Sequence, residues 1–126
     1  MSWDDPISRA FRSGRFREAH ELLLRKSERS DADQVMFVET SHFLGDKTQA
    51  SAVARRLLTA GRLTALHASR CAGVLGDCLW YEGQVDEALE ILAKTLRLAE
   101  ESKDFNQVAR AASHLLERTC DQRGFD

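Results

Sequence analysis

The sequence predicts an all-α fold of about seven antiparallel helices, and three observations carry that prediction. Apolar residues recur at spacings of three and four along most of the chain, as helices with one buried face require. The runs are punctuated at Gly14, Gly45, Gly61 and Gly83, while proline occurs once. Glycine is the residue that closes a helix in the left-handed conformation without a Cβ penalty. Alternating β-branched runs, the mark of half-buried strands, do not occur.

Asp5-Pro6 opens the first helix, an aspartate cap followed by proline at the first helical position, and Gly14 ends it. The second is expected from about Phe16 to Glu28, with Phe16, Ala19, Leu22 and Leu23 inward, and Ser30-Asp31 breaks it. The third runs from about Ala32 to Leu44 with Val35, Val38 and Phe43 among its apolar positions, and Gly45-Asp46 is the next turn. The fourth, Thr48 to Thr59, turns Ala50, Val53, Ala54 and Leu57 inward and Arg55-Arg56 outward, and Gly61 ends it. The fifth and sixth, roughly 63–82 and 85–102, flank Gly83, with Val74, Leu75, Cys78 and Leu79 before it and Val85, Leu89, Leu92 and Leu96 after it. The seventh runs from Asp104 to about Asp121 on a stripe of Val108, Ala111 and Leu115, with Ala112 and Leu116 beside it. Asp31 with Gln34, Asp46 with Gln49 and Asp104 with Gln107 have the spacing of an aspartate capping box.

At 126 residues the chain fits one domain with a modest core. A net charge of −2 supplies no global field for nucleic acid or an anionic membrane. No apolar run is long enough to cross a bilayer, and the N-terminal MSWDDPISRAFRSGRFREA lacks a signal-peptide core. Three cysteines agree with a reducing compartment, and the expected location is the cytoplasm.

The glycines also reveal a repeat. Gly14, Gly45 and Gly83 each precede an alanine by five residues (Ala19, Ala50, Ala88) and follow Ala10, Ser41 and Leu79 by four. Their separations are 45 − 14 = 31 and 83 − 45 = 38 residues, and Gly124 follows 124 − 83 = 41 further on. With Leu75-Gly76, Leu79, Ala88 and Leu92, the stretch Ser69–Ser102 resembles the tetratricopeptide (TPR) repeat, whose period is about 34. Ala72, Leu79 and Leu92 stand where that pattern has tryptophan, tyrosine and phenylalanine. The resemblance implies a solenoid of helix pairs, about three and a half repeats, in which small Ala88 lets two helices approach closely. The final unit lacks its second helix, so the chain is either part of a longer protein or docks its seventh helix, through Val108, Ala111, Leu115 and Leu116, on a second copy.

In this family the first helix of each pair lines a concave face. The resemblance therefore places positions ten, six, three and two before each turn glycine in a groove. Before Gly83 these are Gly73, Asp77, Trp80 and Tyr81; before Gly45 they are Val35, Glu39, His42 and Phe43. Before Gly14 they are Asp4, Ser8, Phe11 and Arg12; before Gly124 they are His114, Arg118, Asp121 and Gln122. Trp80 and Phe43 have a second reading, as core between repeats. Carboxylates in the middle, Glu39 and Asp77, lead to the expectation that the groove prefers basic or apolar segments over acidic tails.

Catalytic and metal readings are weaker. His67, Cys71 and Cys78 share a helix face but supply too few convergent soft ligands for a structural metal, and buried small cysteines are the simpler reading. His114 and Glu117 could do acid–base work but read as a surface pair. Arg9, Arg12, Arg15 and Arg17 form the densest basic stretch, diluted by Asp4, Asp5, Glu18 and Glu21. Phosphate-loop, nucleophile-elbow and HExxH motifs are absent from the sequence. The expectation is a binding scaffold without catalytic residues, metal or cofactor. Its partner is a protein or peptide, with a homodimer as the alternative and neither nucleic acid nor membrane. Drifting repeats of this kind resemble partner-binding or sensing regions of bacterial regulatory proteins.

Overall fold

The structure, a computed structural model, describes residues 5–123, and side chains to residue 121. Gly124, Asp4 and the Gln122 side chain, all used in the sequence reading, lie outside what is described. The described residues form seven helices and no strand: α1 (Pro6–Arg12), α2 (Phe16–Arg25), α3 (Asp31–Phe43), α4 (Lys47–Ala60), α5 (Ala65–Tyr81), α6 (Val85–Ser102) and α7 (Phe105–Arg123). None is long and apolar enough to cross a membrane.

One turn device recurs three times. Gly14, Gly45 and Gly83 adopt φ of +77°, +88° and +84°. Each glycine N–H donates to the carbonyl three residues back, on Phe11, His42 and Trp80, at 3.1 Å. The following N–H reaches the carbonyls of Ala10, Ser41 and Leu79 at 2.9 Å. This is the Schellman closure, which satisfies helix-end carbonyls and needs a residue at positive φ. It explains why the sequence repeat is anchored at those positions. Ala19, Ala50 and Ala88, five residues on, are fully buried.

Each helix packs on the next, and α3 also packs on α5 and α5 on α7. The tightest crossing is between α5 and α6. A Cβ on Gly76 would lie 2.7 Å from Leu92 Cδ2 and 3.5 Å from the Ala88 carbonyl. Leu92 and Ala88 are themselves buried, so the crossing has no slack. Across the same helices the Ser69 hydroxyl donates to the Thr95 carbonyl (2.8 Å), and Gln107 Nε2 of α7 donates to Ser69 Oγ (3.0 Å).

Several boundaries differ from expectation. α2 stops at Arg25 rather than Glu28, because Lys26 turns extended and places its ammonium 2.8 Å from Asp33. The cap of α3 is Ser30, not Asp31. Ser30 Oγ accepts from the Asp33 amide (3.1 Å) while Asp33 Oδ2 accepts from the Ser30 amide (3.0 Å). The box is thus Ser30/Asp33 rather than Asp31/Gln34; Asp33 gains the Lys26 ion pair as well, which Gln34 could not. Asp46 and Asp104 do cap α4 and α7, through the Gln49 and Gln107 amides. Thr64 caps α5, and α6 ends at Lys103 with φ +59°, a left-handed turn made without glycine.

Candidate functional site

The side of the molecule shared by α3, α5 and α7 holds a cavity of about 190 Å³. From α3 it is lined by Glu39, His42 and Phe43, and from α5 by Arg70, Gly73, Val74 and Asp77. Gln107, Arg110, Ala111 and His114 close it from α7, with Thr95 of α6 beneath. Six residues placed on a concave face from their offsets to glycines in the sequence, Glu39, His42, Phe43, Gly73, Asp77 and His114, therefore meet at one pocket.

Asp77 is its structural centre. Nε2 of His42 lies 3.1 Å from Oδ2, and Nε2 of His114 lies 3.1 Å from Oδ1. Arg118 NH2 donates to the same Oδ1 at 2.8 Å. Burial alone would raise the Asp77 pKa; hydrogen bonds from His114, His42 and Arg118 more than reverse this and hold it well below the usual carboxylate range. A carboxylate can only accept, so both imidazoles carry a proton on Nε2. Nδ1 of His42 and Nε of Arg118 are buried without a partner among the described residues. One α5 carboxylate thus ties α3 to α7.

Arg118 also donates to the Tyr81 hydroxyl (3.2 Å) and lies 5.2 Å from the ring centres of both Trp80 and Tyr81. Trp80 is half-buried and packs against the core, as the second of its two readings has it, and is not among the residues lining the cavity. Tyr81 is 60% exposed and also carries the Lys47 ammonium 4.7 Å from its ring centre. Phe43 is 55% exposed, stacks on Phe16 at 4.3 Å and forms a wall of the pocket rather than core.

Glu39 is 6% exposed and engaged by Arg70, whose Nε donates to Oε2 at 3.1 Å and whose NH2 donates to Oε1. This changes the premise behind the expected preference for basic segments: both groove carboxylates already have internal cationic partners. Val35, the remaining α3 position, is fully buried and belongs to the core.

Cys71 and Cys78 are fully buried, and burial pushes their thiols up to about 12 and about 11. Those values leave them as protonated core residues. His114 turns to Asp77 while Glu117 is exposed, so the two do not form a pair. On α7, Ala111 is buried, Val108 and Leu115 are half-buried, and Leu116 is 66% exposed. The outward stripe of that helix is instead Phe105, Ala109, Ala112 and Leu116. One register step separates it from the expected stripe, because Val108, Ala111 and Leu115 are the residues α7 turns toward α5 and α6.

Arg70, Gln107 and Arg110 were missed by the sequence reading. They stand seven residues before Asp77, seven before His114 and four before His114, spacings that put them on the same helix faces. Comparison of the chain with protein-family models, with curated proteins and with solved structures gives no match.

Proposed function

We propose that the chain is a TPR-like scaffold that binds a protein or peptide segment along the α3, α5 and α7 face, without chemistry of its own. The observation that carries the reading is the convergence on one pocket of six residues chosen by their offsets from Gly45, Gly83 and Gly124 in the sequence. A repeat whose corresponding positions share a surface is suited to an extended ligand crossing several units. Exposed Phe43 on the pocket wall, and exposed Tyr81 on the Arg118 that holds Asp77, offer apolar contact area. The setting in keeping with this build is a cytoplasmic partner-binding or sensing region of a bacterial regulatory protein.

A second reading, self-assembly, is favoured by the outer face of α7, where Phe105 is 89% and Leu116 66% exposed. Display selection of random peptides, followed by anisotropy titration of those selected, separates the two. The groove reading predicts that Phe43→Asp weakens binding about tenfold or more and that Phe105→Asp leaves it unchanged. Loss with Phe105→Asp alone, or a wild-type dimer in sedimentation that Leu116→Glu dissociates with no peptide selected, would transfer the function to α7.

A further inference from the structure

The pocket at Asp77 does not end where its lining does. A second depression, lined by Phe11, Leu66, Asp104 and Asn106, adjoins it and shares Glu39, Arg70, Gln107 and Arg110 as a common wall. The two depressions lie on either side of that wall, one reaching Phe43 and His114 and the other reaching Phe11 of α1. Two open depressions side by side on one surface suit the middle of an extended chain, with one residue in each and a third over the wall between them.

The charges along the two are unequal in their commitments. Glu39 is held by Arg70, and Asp77 by Arg118 and two histidines. Asp104 at the outer rim caps α7, accepting from the Gln107 amide at 2.9 Å, where the helix N-terminus offsets its charge. Arg110 differs: it is exposed, sits on the wall shared by both depressions, and makes no ion pair or side-chain hydrogen bond among the described residues. An entering group therefore finds both floor carboxylates already neutralised and one guanidinium with all five donors unused.

Resting on the groove reading above, we propose that the segment taken up is acidic, with a side-chain carboxylate opposite Arg110 and apolar residues on both sides. One apolar neighbour meets Phe43 and Val74, and the other meets Phe11 and Leu66. A lysine at the central position would face Arg110 across a wall whose carboxylates are occupied, and like charges at an interface select against it.

The test uses a display library of random internal dodecapeptides, fused at both ends, selected in parallel on wild type, Arg110→Lys and Arg110→Glu. The expected result is an acidic consensus flanked by apolar residues on wild type and Arg110→Lys. On Arg110→Glu that consensus binds about tenfold more weakly in anisotropy titration and selection shifts to basic centres. Circular dichroism of the Arg110→Glu protein should match wild type, because the side chain is exposed. Enrichment of neutral or basic centres on wild type, or indifference of an acidic consensus to Arg110→Glu, would overturn the acidic assignment and leave groove binding standing. Enrichment only from a parallel library displayed with a free C-terminal carboxylate would overturn it too. Failure of every variant to enrich any peptide would overturn the groove reading, and this inference with it.

Discussion

Asp77→Asn should destabilise the protein by about 2 kcal/mol. The change preserves shape and removes charge. It touches three partners, and they do not contribute equally. His42 and His114 can each change tautomer and present a lone pair to an amide N–H, so the neutral pairs are partly recoverable. Arg118 cannot lose its proton, its side chain is 13% exposed, and its 2.8 Å bond to Oδ1 is charge-assisted. Such a bond contributes about 1.5–3 kcal/mol. The Tyr81 hydroxyl and the two aromatic rings remain for Arg118, which holds the cost below the roughly 3–5 kcal/mol of a fully uncompensated buried charge. For a chain of this length about 2 kcal/mol corresponds to a Tm lower by roughly 8 °C. Urea unfolding of wild type, Asp77→Asn, Arg118→Met and the double variant gives both the cost and the coupling, expected at about 1–2 kcal/mol. A single-variant cost under about 0.5 kcal/mol, or additive single variants, would refute the claim that Asp77 joins α5 to α7 through Arg118.

Further outcomes follow from the packing and the charges. Ala88→Leu should cost about 1–3 kcal/mol by overpacking the α5/α6 crossing, read as a lower urea midpoint at unchanged slope. Gly76→Val should cost more than Gly76→Ala, because the gain in helix propensity of about 1 kcal/mol offsets part of the alanine's clash with Leu92. Acidification should lower stability in two stages. Burial holds His20 and His67 below the ordinary 6.5, so the folded protein binds fewer protons than the unfolded one and loses stability as pH falls below about 6.5. Asp77 and Asp33 are depressed by their hydrogen-bond donors against the opposing effect of burial, and add a second loss below about 3.9. Urea midpoints at pH 7.5, 5.0 and 3.5 should descend in that order; a rise on acidification would contradict the assignment.

The helices and their turns were legible because the Schellman closure favours glycine at its positive-φ position and the packing of the next helix favours a small buried residue five positions on, leaving a fixed trace in sequence. Gly14, Gly45 and Gly83 carried that trace, whereas the left-handed turn at Lys103 left none, since nothing in a lysine announces positive φ. The α3 cap was displaced by one residue because Ser30 and Asp31 are both competent caps; Lys26, seven residues from Asp33, decided between them. The gathering of Glu39, His42, Asp77 and His114 was readable through the repeat offsets. Their electrostatic character was not. Charges at single positions suggested an acidic groove, yet Arg70 and Arg118 reach Glu39 and Asp77 across helix contacts that link residues 31 and 41 apart in sequence. Burial of a carboxylate requires such partners, but sequence does not say which helix supplies them.

The central claim is that ligand enters between α3, α5 and α7, and amide chemical-shift mapping tests it most directly. Titrating a display-selected peptide into the isotopically labelled chain should move the amides of Glu39, Phe43, Gly73, Asp77, Arg110 and His114, and leave those of Ala50, Leu57, Glu90 and Lys94 in place. Shifts concentrated at Phe105, Ala109, Ala112 and Leu116, with the groove amides unmoved, would contradict it.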